Sequence, residues 1–338
     1  MAGPCIGCDA KPSPRFRLAA ALLLALGLTA CGGTAGGPVV GDALCSLRNQ
    51  PRAGWRSLPP LQPARVAALT ARGLPEPVVV LADTIGALTP LEALLDAEAR
   101  PDGAVDFLLA RQSLAETVLL ATLDVQSTLA LIECEGERAD QLLVHVERIQ
   151  ARRERTLSIA AVAFGGATAV VTGGLSIAGL GRAADIAGIV GGSAEGIAAG
   201  ALFFGSPTGR LRISQNLFEE VARQPEHALI FPPRVWRYLT RRPAPGEPNI
   251  IDELFADWRA NGLVPADPTD QGMTALTSQD GVYDAEALER RDAIFDQLDA
   301  RVALMNRDLR YLLEEVVARP PPRFRAGQRA RVAGRLTR

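Results

Sequence analysis

The chain has a single lysine, Lys11, and only two histidines, His145 and His227. If Lys11 leaves with an N-terminal leader, the mature chain has no lysine for Schiff-base chemistry, or for a phosphate loop whose lysine grips a nucleotide. Neither histidine has a partner at metal-ligand spacing, and no zinc or calcium pattern is present. Both read as structural side chains. A G-x-S-x-G nucleophile elbow is also missing, because Gly191-Gly192-Ser193-Ala194-Glu195 lacks the final glycine. Gly179 to Ala184 imitates G-x-G-x-x-A, but a glycine-rich apolar run precedes it and Glu195 follows too early for a ribose contact. Acid pairs such as Glu219-Glu220, Asp252-Glu253 and Glu314-Glu315 read as solvated helix faces, none standing above the others. Thirty-six basic and 38 acidic residues leave a formal charge of −2, which gives no footing to a nucleic-acid partner. The expectation is a non-enzymatic protein with no catalytic residue, metal, cofactor or nucleotide.

What is present begins with the leader. Lys11, Arg15 and Arg17 precede an apolar stretch, Leu18 to Leu28, which is too short to span a bilayer. Small residues then lead to Cys31 in Leu28-Thr29-Ala30-Cys31. This arrangement resembles a bacterial lipoprotein signal peptide with its lipobox. The resemblance implies cleavage before Cys31 and acylation of that cysteine. Gly32 beside it, in place of an aspartate, implies the periplasmic face of the outer membrane. The leader carries one acid, Asp9, and three bases, so its removal takes the formal charge from −2 to −4. Cys5 and Cys8 leave with it. Cys45 and Cys134 remain, and an oxidising periplasm permits them to pair. Closing a loop of about 90 residues would stabilise by roughly 3–5 kcal/mol in the entropy model.

Residues 31–60, with Pro38, Pro51 and Pro59-Pro60, read as a flexible tether. An N-terminal helical region, 61–156, follows. Within it Leu61 to Arg72 suggests a short helix, and Val78 to Leu81 a strand or extended segment. Thr89 is expected to cap a helix with Pro90 at its first position, ending near Arg100-Pro101. A long helix is expected from about Val105 to Arg155. Its seam, Val118, Val125, Ile132, Ala139 and Val146, recurs every seven residues, with Thr122, Leu129, Gly136 and Leu143 four positions later. Gly136 marks a candidate bend. In the C-terminal helical region, 206–318, the stretch Asp284 to Ala318 repeats the period through Leu288, Phe295, Val302, Leu309 and Val316, with Leu298, Met305 and Leu312 beside them. Two such stripes cannot bury themselves alone, so they are expected to pack on each other. Arg210 to Arg223 and Ile250 to Asn261 suggest shorter helices, and Gly262 to Gly281 an exposed loop.

Between the long segments lies a glycine-rich apolar region, 157–205. Leu157 to Gly181 carries no charge, and Ile186 to Gly205 has Glu195 alone. Two such spans joined by a short polar turn fit a helical hairpin long enough for a bilayer. Gly188, Gly192, Gly196 and Gly200 recur every four residues, and Gly166 and Gly174 belong to a looser series in the first span. Small residues at this spacing let helices approach closely in lipid. The region resembles glycine-zipper membrane segments, and the whole plan resembles α-helical pore-forming toxins in outline. Glu195 would be costly at a bilayer centre unless protonated, paired or facing a watery lumen.

The tail, 319–338, holds seven arginines and no acid. Arg323, Arg325, Arg329, Arg331, Arg335 and Arg338 suit an anionic surface. Arg234-Val235-Trp236-Arg237-Tyr238 is a smaller basic aromatic cluster, fit for a headgroup interface or for a core. The fold class expected is all-α, an elongated bundle of long amphipathic helices flanking the hairpin. The function expected is a structural or assembly role in the cell envelope. Its partners are membrane lipid, through Cys31 and residues 157–205, and a second copy or another envelope protein. Three alternatives stay open: an oligomeric pore or export-channel subunit, a peptidoglycan-binding or wall-processing protein, and a purely soluble helical scaffold on one lipid anchor with the hairpin sheathed by the long helices.

Overall fold

The computed structural model describes residues 37–41, 58–177 and 206–322. Its elements all belong to one compact unit, Pro38–Arg338. Three short helices come first: α1 (Pro63–Ala71), α2 (Glu76–Ile85) and α3 (Leu88–Ala99). The next, α4, runs unbroken from Ala104 to Ile177. Its 74 residues span about 110 Å at 1.5 Å per residue. Four helices of moderate length follow: α5 (Leu217–Arg223), α6 (Pro233–Thr240), α7 (Ile250–Ala260) and α8 (Gln271–Thr277). The last, α9, covers Ala285–Val317. A three-stranded sheet joins β1 (Val39–Val40), β2 (Gly209–Arg212) and β3 (Asp280–Tyr283) in that order. β1 pairs parallel to β2, with Val40 opposite Leu211, and β3 pairs antiparallel, with Gly209 opposite Tyr283.

The core is the contact of α9 with α4. Val118, Val125, Ile132, Ala139 and Val146 are buried on α4. Every α9 seam residue from Leu288 to Val316 is buried opposite them, including Leu298, Met305 and Leu312. The second row on α4 differs from expectation. It consists of Ala121, Thr128, Glu135 and Leu142, three residues after each seam position. Thr122, Leu129, Gly136 and Leu143 are only half-buried. With 3.6 residues per turn, positions three and four ahead flank the seam on opposite sides, and the partner helix decides which side closes. α9 closes the nearer one. Gly136 does not end α4. A Cβ there would meet Asp292 Oδ1 at 3.3 Å, so the glycine lets α9 come close.

Several short elements depart from their local signals. Val78 to Leu81 is helical, within α2, because Glu76-Pro77 starts a helix and Val78, Val79 and Leu81 are wanted in the core. α3 begins at Leu88, so Thr89 lies inside it and caps nothing, although the helix stops at Ala99 as expected. Residues 209–212 form β2 instead of the start of a helix. The stretch 262–281 holds α8 and the first half of β3, so it is not simply an exposed loop. The tether is not wholly free either, since Val39 and Val40 are paired to β2. Other signals translate directly. Asn249 and Asp252 form a reciprocal capping box for α7, and Asp284 Oδ1 accepts from Ala287 N at 2.8 Å to start α9.

β2 is pressed against α4 at Leu142, where a Cβ on Gly209 would sit 2.5 Å from Leu142 Cδ1. Leu142→Ala should therefore cost about 2–5 kcal/mol, the range for a fully buried leucine, while Leu143→Ala should cost markedly less. Urea denaturation midpoints of the two variants check this, and equal losses would contradict the side on which α9 closes.

Candidate functional site

The feature with functional promise is the distal part of α4. Val146 is the last of its described side chains to be buried. From Glu147 to Ile177 every side chain whose burial is described is exposed or half-buried. The helix continues because nothing in this stretch breaks it. Alanines, arginines and glutamines favour a helix enough to carry the glycines that follow. Two zones succeed one another. Glu147 to Arg155 is charged, with Gln150 Nε2 donating to Glu154 Oε1 at 3.1 Å. Leu157 to Ile177 carries no charge and extends about 31 Å, close to the ~30 Å hydrocarbon thickness of a bilayer. Ile159, Val162, Val170 and Ile177 stand 64–91% exposed. Gly166 and Gly174 both fall within this helix. A Cβ at Gly173 or Gly174 would meet nothing within 4 Å, so no described residue covers that part of the glycine face.

The proximal half of α4 carries a second apolar surface that the heptad reading missed. Val105, Leu108, Leu109, Leu119, Leu120 and Leu123 are all more than half exposed. They lie on the side of the helix away from its buried seam, and the strong seven-residue period masked them. Among the described residues, α4 is the one helix long and apolar enough to cross a membrane. Its qualifying window lies within Ala104–Ile159, has mean hydropathy 1.4 and is 28% buried.

The charged groups in the body are engaged in holding it together. Glu135, Arg138 and Arg291 form a cluster with side chains no more than 3% exposed. Arg138 Nη1 donates to Glu135 Oε1 at 2.6 Å, and its Nη2 donates to the Arg212 carbonyl of β2. Arg291 Nη2 lies 3.6 Å from Glu135 Oε2. Its Nη1 donates to Tyr283 Oη at 3.3 Å, and its guanidinium lies 4.8 Å from the Phe295 ring centre. α4, α9, β2 and β3 thus meet at one buried charge cluster. Sequence reading passed over it because Arg291 breaks the apolar row that continues through Leu298, and Glu135 lies in the α4 row three ahead of the seam, which the sequence did not single out.

The acid pairs have equally structural duties. Glu220 is buried and accepts from the backbone N–H groups of Leu229, Ile230 and Phe231. Asp252 caps α7 and pairs with Arg242 at 2.9 Å. Glu315 pairs with Arg319 at 3.0 Å and Glu314 with Arg310 at 2.7 Å. Asp292 and Asp299, on α9, have carboxyls raised above the usual range, first by burial and then by neighbouring acids, Asp296 among them. The basic aromatic cluster belongs to the body. Trp236 is buried with Nε1 donating to Pro225 O at 2.9 Å, Arg234 pairs with Asp124, and Tyr238 donates to Asp308. Its headgroup reading is thereby lost. His145 and His227 are exposed on the surface. An open cavity of about 860 Å³ lies between the 262–278 segment, β3 and α9, near Arg259, Asp270, Tyr283 and Arg290. Three of its polar groups have structural partners: Asp270 caps Gly272, Tyr283 donates to Ala275 O, and Arg290 pairs with Glu286. Among the described residues no group of acids, histidines and cysteines is placed to hold a metal ion.

Cys134, on α4 one residue from this buried charge cluster, is disulfide-bonded. Cys31, Cys45, Gly188, Gly192, Glu195, Gly196 and Gly200 lie outside the described residues, as do Arg323, Arg325, Arg329, Arg331, Arg335 and Arg338. No protein-family model, curated protein or solved structure matches the chain.

The buried cluster yields a sharp expectation. Glu135→Ala leaves two arginines enclosed without an anion and should cost about 3–5 kcal/mol. Replacing Glu135, Arg138 and Arg291 together by apolar residues of similar volume should restore stability to near wild type. Chemical denaturation of both variants decides between a structural cluster and one whose charge is needed in the fold. A triple variant as damaged as Glu135→Ala would contradict the structural role.

Proposed function

We propose that the protein is a non-enzymatic lipoprotein of the cell envelope, in which a helical body is held at a membrane by two attachments. The first is the acyl chain on Cys31. The second is the uncharged distal stretch of α4, which with residues up to 205 forms a hairpin that enters the bilayer. The body stands in the periplasm, at the outer membrane, and serves a structural or assembly role. The observation that carries this reading is the passage of α4 out of its packed core at Val146 into an exposed, uncharged helix of about bilayer thickness. Left in water, that much apolar surface is unfavourable by roughly 25 cal/mol per Å². A bilayer or a second chain relieves it. The exposed leucines near the start of α4 add a further surface for a neighbouring envelope protein or a second copy.

An acyl chain alone holds a protein only marginally, whereas an inserted hairpin resists extraction. The mature chain with Cys31→Ser, exported behind a fully cleaved secretory leader that does not depend on Cys31, is expected to stay in the membrane after carbonate washing. Deleting residues 157–205 from it should release the body. A Cys31→Ser protein that washes off freely would sink the second attachment. A pore or export-channel subunit is the second reading, supported by the glycine ladder at 188–200 and by Glu195, and it requires ion leakage from liposomes that Glu195→Gln alters.

We assign the partner of Cys134 as Cys45, the one other cysteine that remains in the mature chain beyond Cys31. β1 ends at Val40 against Leu211, and Arg138 holds the neighbouring Arg212 carbonyl, so the chain leaving β1 starts close to Cys134. Peptide mapping without reductant should recover Cys45 and Cys134 in one cross-linked species. Recovery of Cys45 as a free thiol would refute the pairing.

A further inference from the structure

Between Val146, the last described side chain of α4 to be buried, and Leu157, the first residue of its uncharged stretch, lies a short arginine-rich segment. Arg148, Arg152 and Arg155 follow at intervals of four and three, which puts them on one face of the helix. All three are exposed. Among the described residues none of them has a carboxylate at ion-pair distance. Body arginines such as Arg65, Arg72, Arg234, Arg241 and Arg319 do have one. Arg153 adds a fourth cation to the segment. Glu147 and Glu154 are its only acids, and none occurs from Thr156 to Ile177. The segment therefore carries a net positive charge directly at the base of the apolar helix.

We propose that Arg148, Arg152 and Arg155 form a collar that binds the headgroups of an anionic phospholipid leaflet and stops insertion of α4 at Leu157. This inference rests on the reading that the apolar stretch enters a bilayer. Three features fit the collar to that partner. Guanidinium groups match phosphate oxygens with paired donors. Their aliphatic stems lie along apolar surface while the heads stay in the headgroup layer. The charged segment also meets the uncharged one within two residues, as an interface requires. A negative leaflet attracts each arginine by an amount that strengthens binding about fivefold, so three together give roughly a hundredfold preference for anionic over neutral membranes. The attraction should weaken with added salt, because exposed charges are screened within about a nanometre.

The test uses the mature chain from residue 31 with Cys31→Ser, so that neither an acyl chain nor the leader contributes. Binding is measured by flotation with vesicles of phosphatidylcholine alone and of phosphatidylcholine with phosphatidylglycerol in equal parts. The expected result is strong preference for the anionic vesicles. A variant with Arg148→Gln, Arg152→Gln and Arg155→Gln should lose most of it yet keep its binding to the neutral ones. The corresponding lysine variant should retain most of the preference. Circular dichroism confirms that each variant is folded, as expected for exposed positions. If the glutamine variant keeps the full preference, or wild type shows none, the collar is refuted while insertion stands. If no vesicle is bound and deleting residues 157–205 changes nothing, the insertion reading fails and the collar fails with it.

Discussion

The pairing of α4 with α9 is the contact on which the other elements are assembled. Each helix has an apolar stripe repeating every seven residues, and neither stripe can be removed from water alone. Their joint burial creates a long surface against which the short helices and the small sheet are arranged. Contact stops at Val146 because the apolar stripe of α4 gives way there to charge. The helix itself does not stop, since hydrogen bonding along the backbone needs no partner helix. An element formed by tertiary packing at one end thus continues as an apolar helix whose described side chains are exposed or half-buried.

The buried charge cluster has the opposite character. Arg291 breaks the apolar row that continues through Leu298, Glu135 lies in the α4 row three ahead of the seam, and Arg138 joins them to the carbonyl of Arg212. Burying ions costs several kcal/mol each, which their mutual attraction only partly offsets. Such a cluster is poor evidence for stability but has a clear geometric consequence. Its arginines reach carbonyl or hydroxyl groups on β2, β3 and α8, so the sheet can sit on the helix pair in one register. We take the cluster as a locating device, which fits its enclosure and its lack of an opening to substrate.

These two features direct attention to the exterior of the molecule. Glu220, Asp252, Glu314 and Glu315 are occupied in loop anchoring, a cap and ion pairs, and several groups lining the open cavity have structural duties. What remains unsatisfied is apolar surface on α4: the distal helix beyond Val146 and the leucines near its start. Surface of that kind asks for lipid or another protein, which supports the proposed role in attachment and assembly.

Much of this was legible from residue order. The long helices, their principal seven-residue seams and the apolar run from Leu157 follow from spacing along a chain whose helices turn every 3.6 residues. Local signals misled where burial overruled them. Val78 to Leu81 look like a strand, yet the core takes them as a helix, and Thr89 looks like a cap, yet α3 starts before it. Periodicity determined that α4 and α9 carry matching stripes. It did not determine which flank of the α4 stripe closes, because positions three and four ahead are equivalent until a partner arrives. The sequence by itself therefore determined the helices, their amphipathic seams and the uncharged stretch. Only the tertiary structure decided that Ala121, Thr128, Glu135 and Leu142 turn inward, that Arg291 meets Glu135, and that α4 leaves the core at Val146. Those outcomes depend on which surfaces meet, and that is set by packing between residues far apart in the chain.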